Sequence, residues 1–180
     1  MRTTPALSLL CALCLASPAP AQDQAAAPPP CSGPDHRAFD FWVGTWEVTT
    51  VSDGKPAGTN TISKILNGCV LHESWAGTPN ADGSQFVGQS FNAFDRQTGQ
   101  WHQTWVDGGG GVLKLDGGLD GAAMVLEGPR KAADGTDQRH RITWTPHDDG
   151  TVRQTWTMTT DDGRSWTTLF DGLYRRKDGS

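Results

Sequence analysis

FDFWVGTWEV, residues 39–48, contains four aromatic side chains in ten residues and begins the first predicted strand. Side chains alternate between the two faces of a strand, so Trp42, Gly44, Trp46 and Val48 share one face. That face is apolar and has to be buried. The segment is therefore either the first strand of a packed core or part of a small barrel that holds a ligand.

Asp-Gly dipeptides recur along the rest of the chain. They begin at Asp53, Asp82, Asp107, Asp116, Asp120, Asp134, Asp149, Asp162, Asp171 and Asp178. Asp-Gly favours the positive φ angles of the type I′ turns that join antiparallel strands. Between these turns lie short runs rich in Thr, Val, Trp, Phe and Ile, without sustained helical periodicity. The pattern predicts an all-β antiparallel meander, sandwich or barrel.

About ten strands follow from this spacing, and a helical turn over residues 36–40 is expected to cap one end. The predicted strands are Phe41–Ser52, Gly58–Leu66, Cys69–Trp75, Gln85–Phe94, Trp101–Val106, Val112–Leu115, Ala122–Glu127, Gln138–Thr145, Thr151–Thr159 and Ser165–Arg175.

The N-terminus has the three parts of a secretory signal peptide. Arg2 precedes an apolar run over residues 6–16, which is followed by the small-x-small site Ala19-Pro20-Ala21. The run is too short to cross a bilayer, which takes about 20 residues. We therefore expect a signal peptide over residues 1–21 and a periplasmic or secreted mature protein.

The mature chain is expected to consist of a flexible Pro- and Ala-rich linker over residues 22–35 and one barrel domain over residues 36–177. The full sequence carries a formal net charge of −5 and has no long run of basic residues. Nucleic acids and anionic lipids demand clustered Lys and Arg, so neither is expected as a partner.

Two cysteines, Cys31 and Cys69, remain after removal of the signal peptide. An exported protein meets an oxidising compartment, and an even number of cysteines there favours a disulfide. The alternative is two separate buried thiols.

Polar residues share the inner faces of several predicted strands with aromatic residues. These inner-face groups are Glu73 with Trp75; Trp101, Gln103 and Trp105; Ser90 and Asn92 between Phe86 and Phe94; His140 with Ile142 and Trp144; Gln154 with Trp156; and Trp166, Thr168, Phe170 and Tyr174. A pure core avoids such groups, because an unpaired buried polar group costs about 1–3 kcal/mol.

Aromatic walls with a few polar groups are typical of a ligand pocket, and barrels with this number of strands commonly leave an interior. The predicted pocket residues are Glu73, Trp75, Asn92, Trp101, Gln103, Trp105, Trp144, Gln154 and Trp156. The alternative is structural: Glu73, Gln103 and Gln154 would accept hydrogen bonds from the indole N–H groups of the tryptophans.

Gly44-Thr45-Trp46 resembles the Gly-x-Trp signature of the calycins, the lipocalins and their relatives. The ordered set FDFWVGTWEV, GCVLHESW, FNAFD, WHQTWVD, RITWTP, VRQTW and FDGLYRR resembles a bacterial family of calycin-like domains of unknown function. This resemblance spans about residues 36–176. It implies a closed or nearly closed up-and-down barrel of about eight to ten strands, as in lipocalins and fatty-acid-binding proteins. It also implies that Trp46 closes one end beneath Arg175 or Arg176.

Motifs of known chemistry are not found: the chain has no Gly-x-Ser-x-Gly, His-Glu-x-x-His or paired-Cys metal motif. No catalytic or metal-binding residue is therefore assigned, and no cofactor is expected. Haem is the one cofactor alternative, because His140 faces inward and some calycin-like barrels bind haem through a histidine.

The leading hypothesis is an exported barrel, monomeric or homodimeric, that binds a small hydrophobic or amphipathic molecule. One alternative is an isomerase or hydrolase with Glu73 as general acid or base. The other is a structural module with a filled interior. Arg141 and Arg153 are predicted to face outward, and the Thr- and Arg-rich outer faces predict no large apolar patch.

Overall fold

A computed structural model describes residues 28–177 of the chain. The predicted signal peptide and the first residues of the predicted linker lie outside this range. Within it, a short helix, two 3-10 turns and ten strands follow one another. They are α1 (Pro34–Arg37), a 3-10 turn (Asp40–Trp42), β1 (Gly44–Thr50), β2 (Pro56–Ile65), a 3-10 turn (Leu66–Gly68), β3 (Val70–Gly77), β4 (Val87–Asp95), β5 (Gln100–Asp107), β6 (Val112–Asp120), β7 (Ala123–Lys131), β8 (Asp137–Pro146), β9 (Val152–Thr159) and β10 (Thr167–Arg176).

The ten strands form a closed barrel in which each strand pairs antiparallel with its neighbours along the chain. Closure comes from β1 and β10, where Trp46 lies opposite Arg176 and Val48 lies opposite Tyr174. The predicted all-β, up-and-down antiparallel barrel is therefore confirmed. A closed barrel leaves no unpaired sheet edge, which removes a common route to aggregation.

Most predicted strands agree with the observed ones, and the main differences lie at their ends. β1 begins at Gly44 rather than Phe41, because Asp40–Trp42 forms a 3-10 turn. β4 begins at Val87, which leaves Phe86 in the preceding loop. β6 and β7 are longer than predicted: β6 continues through Gly117 and Gly118, and β7 continues through Gly128.

One end of the barrel is closed by stacked aromatic residues. The ring centroid of Phe39 lies 5.0 Å from that of Trp42 and 5.0 Å from that of Trp144. Trp101 packs edge-on against Phe39, with the ring centroids 5.6 Å apart. Trp42, Trp46 and Trp144 are fully buried. Residues 39–48 thus contribute Phe39, Trp42 and Trp46 to the closed end of the barrel.

Trp46 is held at this end from both sides. Its indole N–H donates to the backbone oxygen of Trp42 at 2.9 Å, and the guanidinium carbon of Arg176 lies 4.5 Å from its ring centroid. Arg176 also donates to the backbone oxygen of Val43 at 3.0 Å. Arg176 is therefore the arginine that covers the tryptophan, whereas Arg175 donates to Thr49 on the outer face at 3.2 Å.

Gly44 leaves the space that this arrangement needs. Its φ is +146°, a conformation that residues with a side chain rarely adopt. A Cβ at this position would also overlap the guanidinium nitrogen Nη1 of Arg176. The Gly-x-Trp spacing therefore has a local physical cause: the glycine admits the cation that covers the tryptophan two residues later.

The N-terminal segment is tied to the closed end. Cys31 and Cys69 form a disulfide, as predicted, which links this segment to the chain just before β3. The indole N–H of Trp101 donates to the backbone oxygen of Asp35 at 3.1 Å. α1 is thereby held against the aromatic cluster.

The alternation of side chains holds on the long strands. His140, Ile142 and Trp144 are buried, whereas Arg141 lies on the outer face beside Glu127. Arg153 pairs with Asp171 on the outer face at 2.7 Å, as expected for an outward residue.

Individual apolar side chains do lie on the outer surface of β4, β5 and β6. Phe91, Val106 and Val112 are about half exposed there, and the two valines lie opposite each other. Strand alternation places these side chains outside because the opposite faces of the same strands line the interior.

Candidate ligand-binding cavity

A cavity of about 160 Å³ occupies the half of the barrel away from the Trp46 end. Its lining consists of Glu73, Trp75, Phe86, Gln103, Trp105, Leu113, Ile142, Gln154, Trp156, Phe170 and Tyr174. An apolar cavity of about 150 Å³ engineered into another protein binds benzene. The volume here therefore suits a ring-sized molecule, and it is below the roughly 300–1,000 Å³ of a drug-sized pocket.

Aromatic side chains form most of the wall. The ring centroids of Trp75 and Phe170 are 6.0 Å apart, and those of Phe86 and Trp105 are 6.5 Å apart. Phe86 is 53% exposed and belongs to the loop before β4, so it marks the side on which the cavity opens. A molecule entering there meets aromatic surface before it reaches any polar group.

Glycines make room for three of these rings. A Cβ at Gly88 would overlap the Trp105 ring, and one at Gly172 would lie 2.5 Å from Cζ of Phe170. A Cβ at Gly58 would lie 2.9 Å from Cζ2 of Trp75. The rings therefore occupy space beside bare backbone that a side chain at the glycine would fill.

Glu73 is the acidic group of the cavity lining. Its side chain is on β3 and the residue is only 4% exposed. Asn60 donates to Oε1 at 2.7 Å and Ser90 donates to Oε2 at 2.6 Å. Burial raises the pKa of Glu73 to about 6, although the hydrogen bonds from Ser90 and Asn60 oppose the rise.

A buried network fixes the amides around this carboxyl group. Gln103 donates to Oδ1 of Asn92 at 2.9 Å, and Asn92 donates to Ser90 at 2.8 Å and to the backbone oxygen of Leu71 at 3.1 Å. Gln103 lines the cavity, while Asn92 lies behind it. The network positions the polar lining without filling the cavity.

Tyr174 and Gln154 form the second polar element of the lining. The Tyr174 hydroxyl donates to Oε1 of Gln154. Burial, together with the negative charge of Glu73, raises the pKa of Tyr174 well above its ordinary value, so the phenol stays protonated. The amide nitrogen of Gln154 adds two N–H donors to this element.

The structural alternative expected these polar groups to accept indole hydrogen bonds, but the indole groups described here donate elsewhere. Trp105 donates to Asp107 at 3.4 Å and Trp156 donates to Nδ1 of His140 at 2.9 Å. Trp46 and Trp101 donate to backbone oxygens. In the described chain no tryptophan donates to Glu73, Gln103 or Gln154; their partners are the side chains of Asn60, Ser90, Asn92 and Tyr174.

Six of the nine predicted pocket residues line the cavity: Glu73, Trp75, Gln103, Trp105, Gln154 and Trp156. Three do not. Asn92 lies behind the wall, and Trp101 and Trp144 belong to the aromatic cluster at the closed end. Alternation predicts which face a side chain occupies but not its height along the barrel.

Five lining residues were missing from the predicted pocket: Phe86, Leu113, Ile142, Phe170 and Tyr174. Ile142, Phe170 and Tyr174 had the correct inward parity, which was the signal that pointed to them. Phe86 was also predicted to face inward, and it lines the cavity although it lies in the loop before β4.

His140 is not among the lining residues and its two ring nitrogens are engaged. Nδ1 accepts the indole N–H of Trp156, so Nε2 carries the proton and lies 3.0 Å from Oε1 of Gln138. Burial lowers the pKa of His140, which favours this neutral form. The arrangement does not fit a haem ligand, which needs a free ring nitrogen facing an open space.

Residues 28–177 contain neither a membrane-spanning helix nor a metal-binding cluster. No helix in this range combines the length and the apolar character needed to cross a bilayer. No group of three or more His, Cys, Asp and Glu side chains there is arranged to hold a metal ion.

Comparison with known proteins places the chain in a family. No curated protein matches it. A family model described as "Protein of unknown function (DUF1579)" matches residues 32–176, from just after Cys31 to Arg176. This range contains all ten strands. The predicted membership of a domain family of unknown function is thus confirmed, and the chain belongs to the DUF1579 family.

Proposed function

We propose that this protein is an exported binding protein that holds a small, largely apolar molecule inside its barrel. The observation that carries this proposal is the cavity of about 160 Å³, with aromatic walls and the polar groups of Glu73, Gln103, Gln154 and Tyr174. Ligand sites combine apolar walls with a few fixed polar groups in this way. An interior filled by side chains, as a purely structural module requires, disagrees with this open volume.

The proposal includes membership of the calycins. Its support is the arrangement of Gly44, Trp46 and Arg176, in which a cation covers the first-strand tryptophan at the closed end. Calycin-like barrels hold their ligands inside, which agrees with the location of the cavity.

Export is the other part of the proposal. It rests on the signal-peptide pattern of residues 1–21 and is supported by the Cys31–Cys69 disulfide, which suits an oxidising compartment. Mass spectrometry of the protein from a periplasmic extract tests it. We expect a mature chain that begins at Gln22, whereas an intact chain confined to the cytoplasm would contradict export.

A second candidate function is catalysis by Glu73. A carboxyl group with a pKa of about 6 can give and take a proton near neutral pH. Turnover that Glu73→Gln abolishes while the barrel stays folded would support this function. Binding ranks first because the hydrogen bonds that hold Glu73 do not themselves identify a reacting group.

Binding can be tested with ring-sized compounds, followed by tryptophan fluorescence and by the melting temperature. A ligand that binds the native state raises the melting temperature by mass action. Two matched variants are compared. Leu113→Phe fills part of the cavity, and Val112→Phe introduces the same phenylalanine side chain at an exposed neighbouring position. We expect binding to be weakened by the first and kept by the second. Equal effects would contradict a site inside the barrel.

A further inference from the structure

Glu73 is a buried carboxyl group in a cavity whose lining contains no cation. The eleven lining residues include no Lys, Arg or His, and the hydrogen bonds of Glu73 come from the neutral side chains of Asn60 and Ser90. Buried charges in proteins are normally paired, because removing a lone ion from water is costly. A positively charged ligand would therefore supply the missing partner of Glu73.

The carboxyl group also has acceptor capacity left. Two carboxylate oxygens offer about four acceptor positions, and Asn60 and Ser90 use two of them. The amide nitrogen of Gln103 donates to Asn92. The carbonyl oxygen of Gln103 is therefore a second acceptor in the lining. A ligand group rich in N–H donors matches these two acceptors.

The aromatic wall favours a cation as well. Faces of tryptophan, tyrosine and phenylalanine rings attract cations, and aromatic cages recognise ammonium ligands in this way. Trp75, Trp105, Trp156 and Phe170 supply such rings in the lining. An anionic ligand, by contrast, would meet both the Glu73 charge and the negative faces of these rings.

We infer that the occupant of the cavity is an organic cation, with a protonated amine at Glu73 and a ring-sized apolar body between the tryptophans. This inference rests on the proposed binding function and names the chemical class of its ligand. The apolar body follows from the volume of about 160 Å³, and the single positive charge follows from the single carboxyl group.

Three probes of nearly equal size and different charge test the inference. They are benzylamine, benzyl alcohol and benzoate, titrated into the wild-type protein by calorimetry at pH 7.5. We expect benzylamine to bind at least tenfold more tightly than benzyl alcohol, because hydrogen bonds to charged groups contribute more than neutral ones. Benzoate should bind most weakly.

Two variants locate the effect. Glu73→Gln keeps the shape of the side chain and removes its charge, so benzylamine should lose its advantage while benzyl alcohol still binds. Glu47→Gln makes the same change at an exposed position on β1 and should leave the wild-type order intact.

The outcomes distinguish a failure of the inferred cation from a failure of the binding function. If benzyl alcohol or benzoate binds the wild-type protein as tightly as benzylamine does, the inferred cation is wrong and the binding function stands. If none of the three probes binds, the binding function is itself contradicted. The wild-type comparison decides the inference even if Glu73→Gln does not fold.

Discussion

The guanidinium carbon of Arg176, at the end of β10, lies 4.5 Å from the ring centroid of Trp46 on β1. The two residues are also directly opposite each other in the strand register. Their contact therefore joins the first and last strands at the point where the barrel closes. It covers a fully buried tryptophan with a cation that also donates to the backbone oxygen of Val43.

Replacing Arg176 should weaken the closure of the barrel. We expect Arg176→Ala to lower the free energy of unfolding by about 1–2 kcal/mol, because it removes a cation–π contact and a hydrogen bond. Arg175→Ala is the matched control and should change the value by less than about 0.5 kcal/mol, as a surface substitution does. Urea denaturation measures both variants. Equal losses would contradict a specific role for Arg176.

Gly88 should control the shape of the cavity. In Gly88→Ala the new Cβ overlaps the Trp105 ring, which then has to move from its position over the glycine. We expect altered tryptophan fluorescence and at least tenfold weaker binding of benzylamine.

Gly118→Ala is the control for this substitution, because a Cβ at that strand position meets nothing within 4 Å. It should leave both the fluorescence and the affinity unchanged. Unaltered binding by Gly88→Ala would show that Trp105 does not form the cavity wall.

The sequence was sufficient to predict the barrel because its signals are local. Asp-Gly turns recur at strand-length intervals, and each strand has one apolar face. The pocket was predicted less completely. Trp101 and Trp75 have the same inward parity, yet Trp101 packs under Phe39 and Trp75 lines the cavity. Their heights depend on the register between strands, which a single strand does not encode.

The position of Glu73 could be predicted from the sequence, whereas its hydrogen-bond partners could not. Its inward position follows from alternation with Leu71 and Trp75. Its hydrogen bonds to Asn60 and Ser90 come from two other strands and require the closed sheet. Neither partner was part of the predicted pocket and neither lines the cavity, although Ser90 was predicted to face inward.

Glu73 should make the stability of the protein depend on pH. Its folded-state pKa of about 6 lies above the ordinary value of 4.5, so the native state holds the proton more tightly than the unfolded chain. Stability from this group is thus fully present below pH 4.5 and is lost as pH rises through about 6. The loss is about 2 kcal/mol.

The Glu73→Gln variant removes this dependence. The difference in the free energy of unfolding, variant minus wild type, should rise by about 2 kcal/mol between pH 4.5 and pH 7. Chemical denaturation at a series of pH values measures it, with Glu47→Gln as the control. A difference that stays constant over this range would contradict the raised pKa.

The disulfide should make a large contribution to stability. Cys31 and Cys69 are 38 residues apart in sequence, and a cross-link over a loop of this length stabilises the native state by about 2–4 kcal/mol. We expect a reducing agent to lower the urea midpoint of the wild-type protein.

A variant with both Cys31 and Cys69 replaced by Ser provides the control for the reduction experiment. It should have the lowered midpoint from the start and should not respond to the reducing agent. A midpoint equal to that of the oxidised wild type would show that the cross-link does not stabilise the barrel.

A crystal structure of the wild-type protein with benzylamine tests the binding function most directly. We expect ligand density between Trp105 and Trp156, with the amine nitrogen about 2.7–2.9 Å from a Glu73 oxygen, the usual length of a charge-assisted hydrogen bond. The binding function would be contradicted by an interior filled with rotated aromatic side chains, with benzylamine absent or bound only on the outer surface.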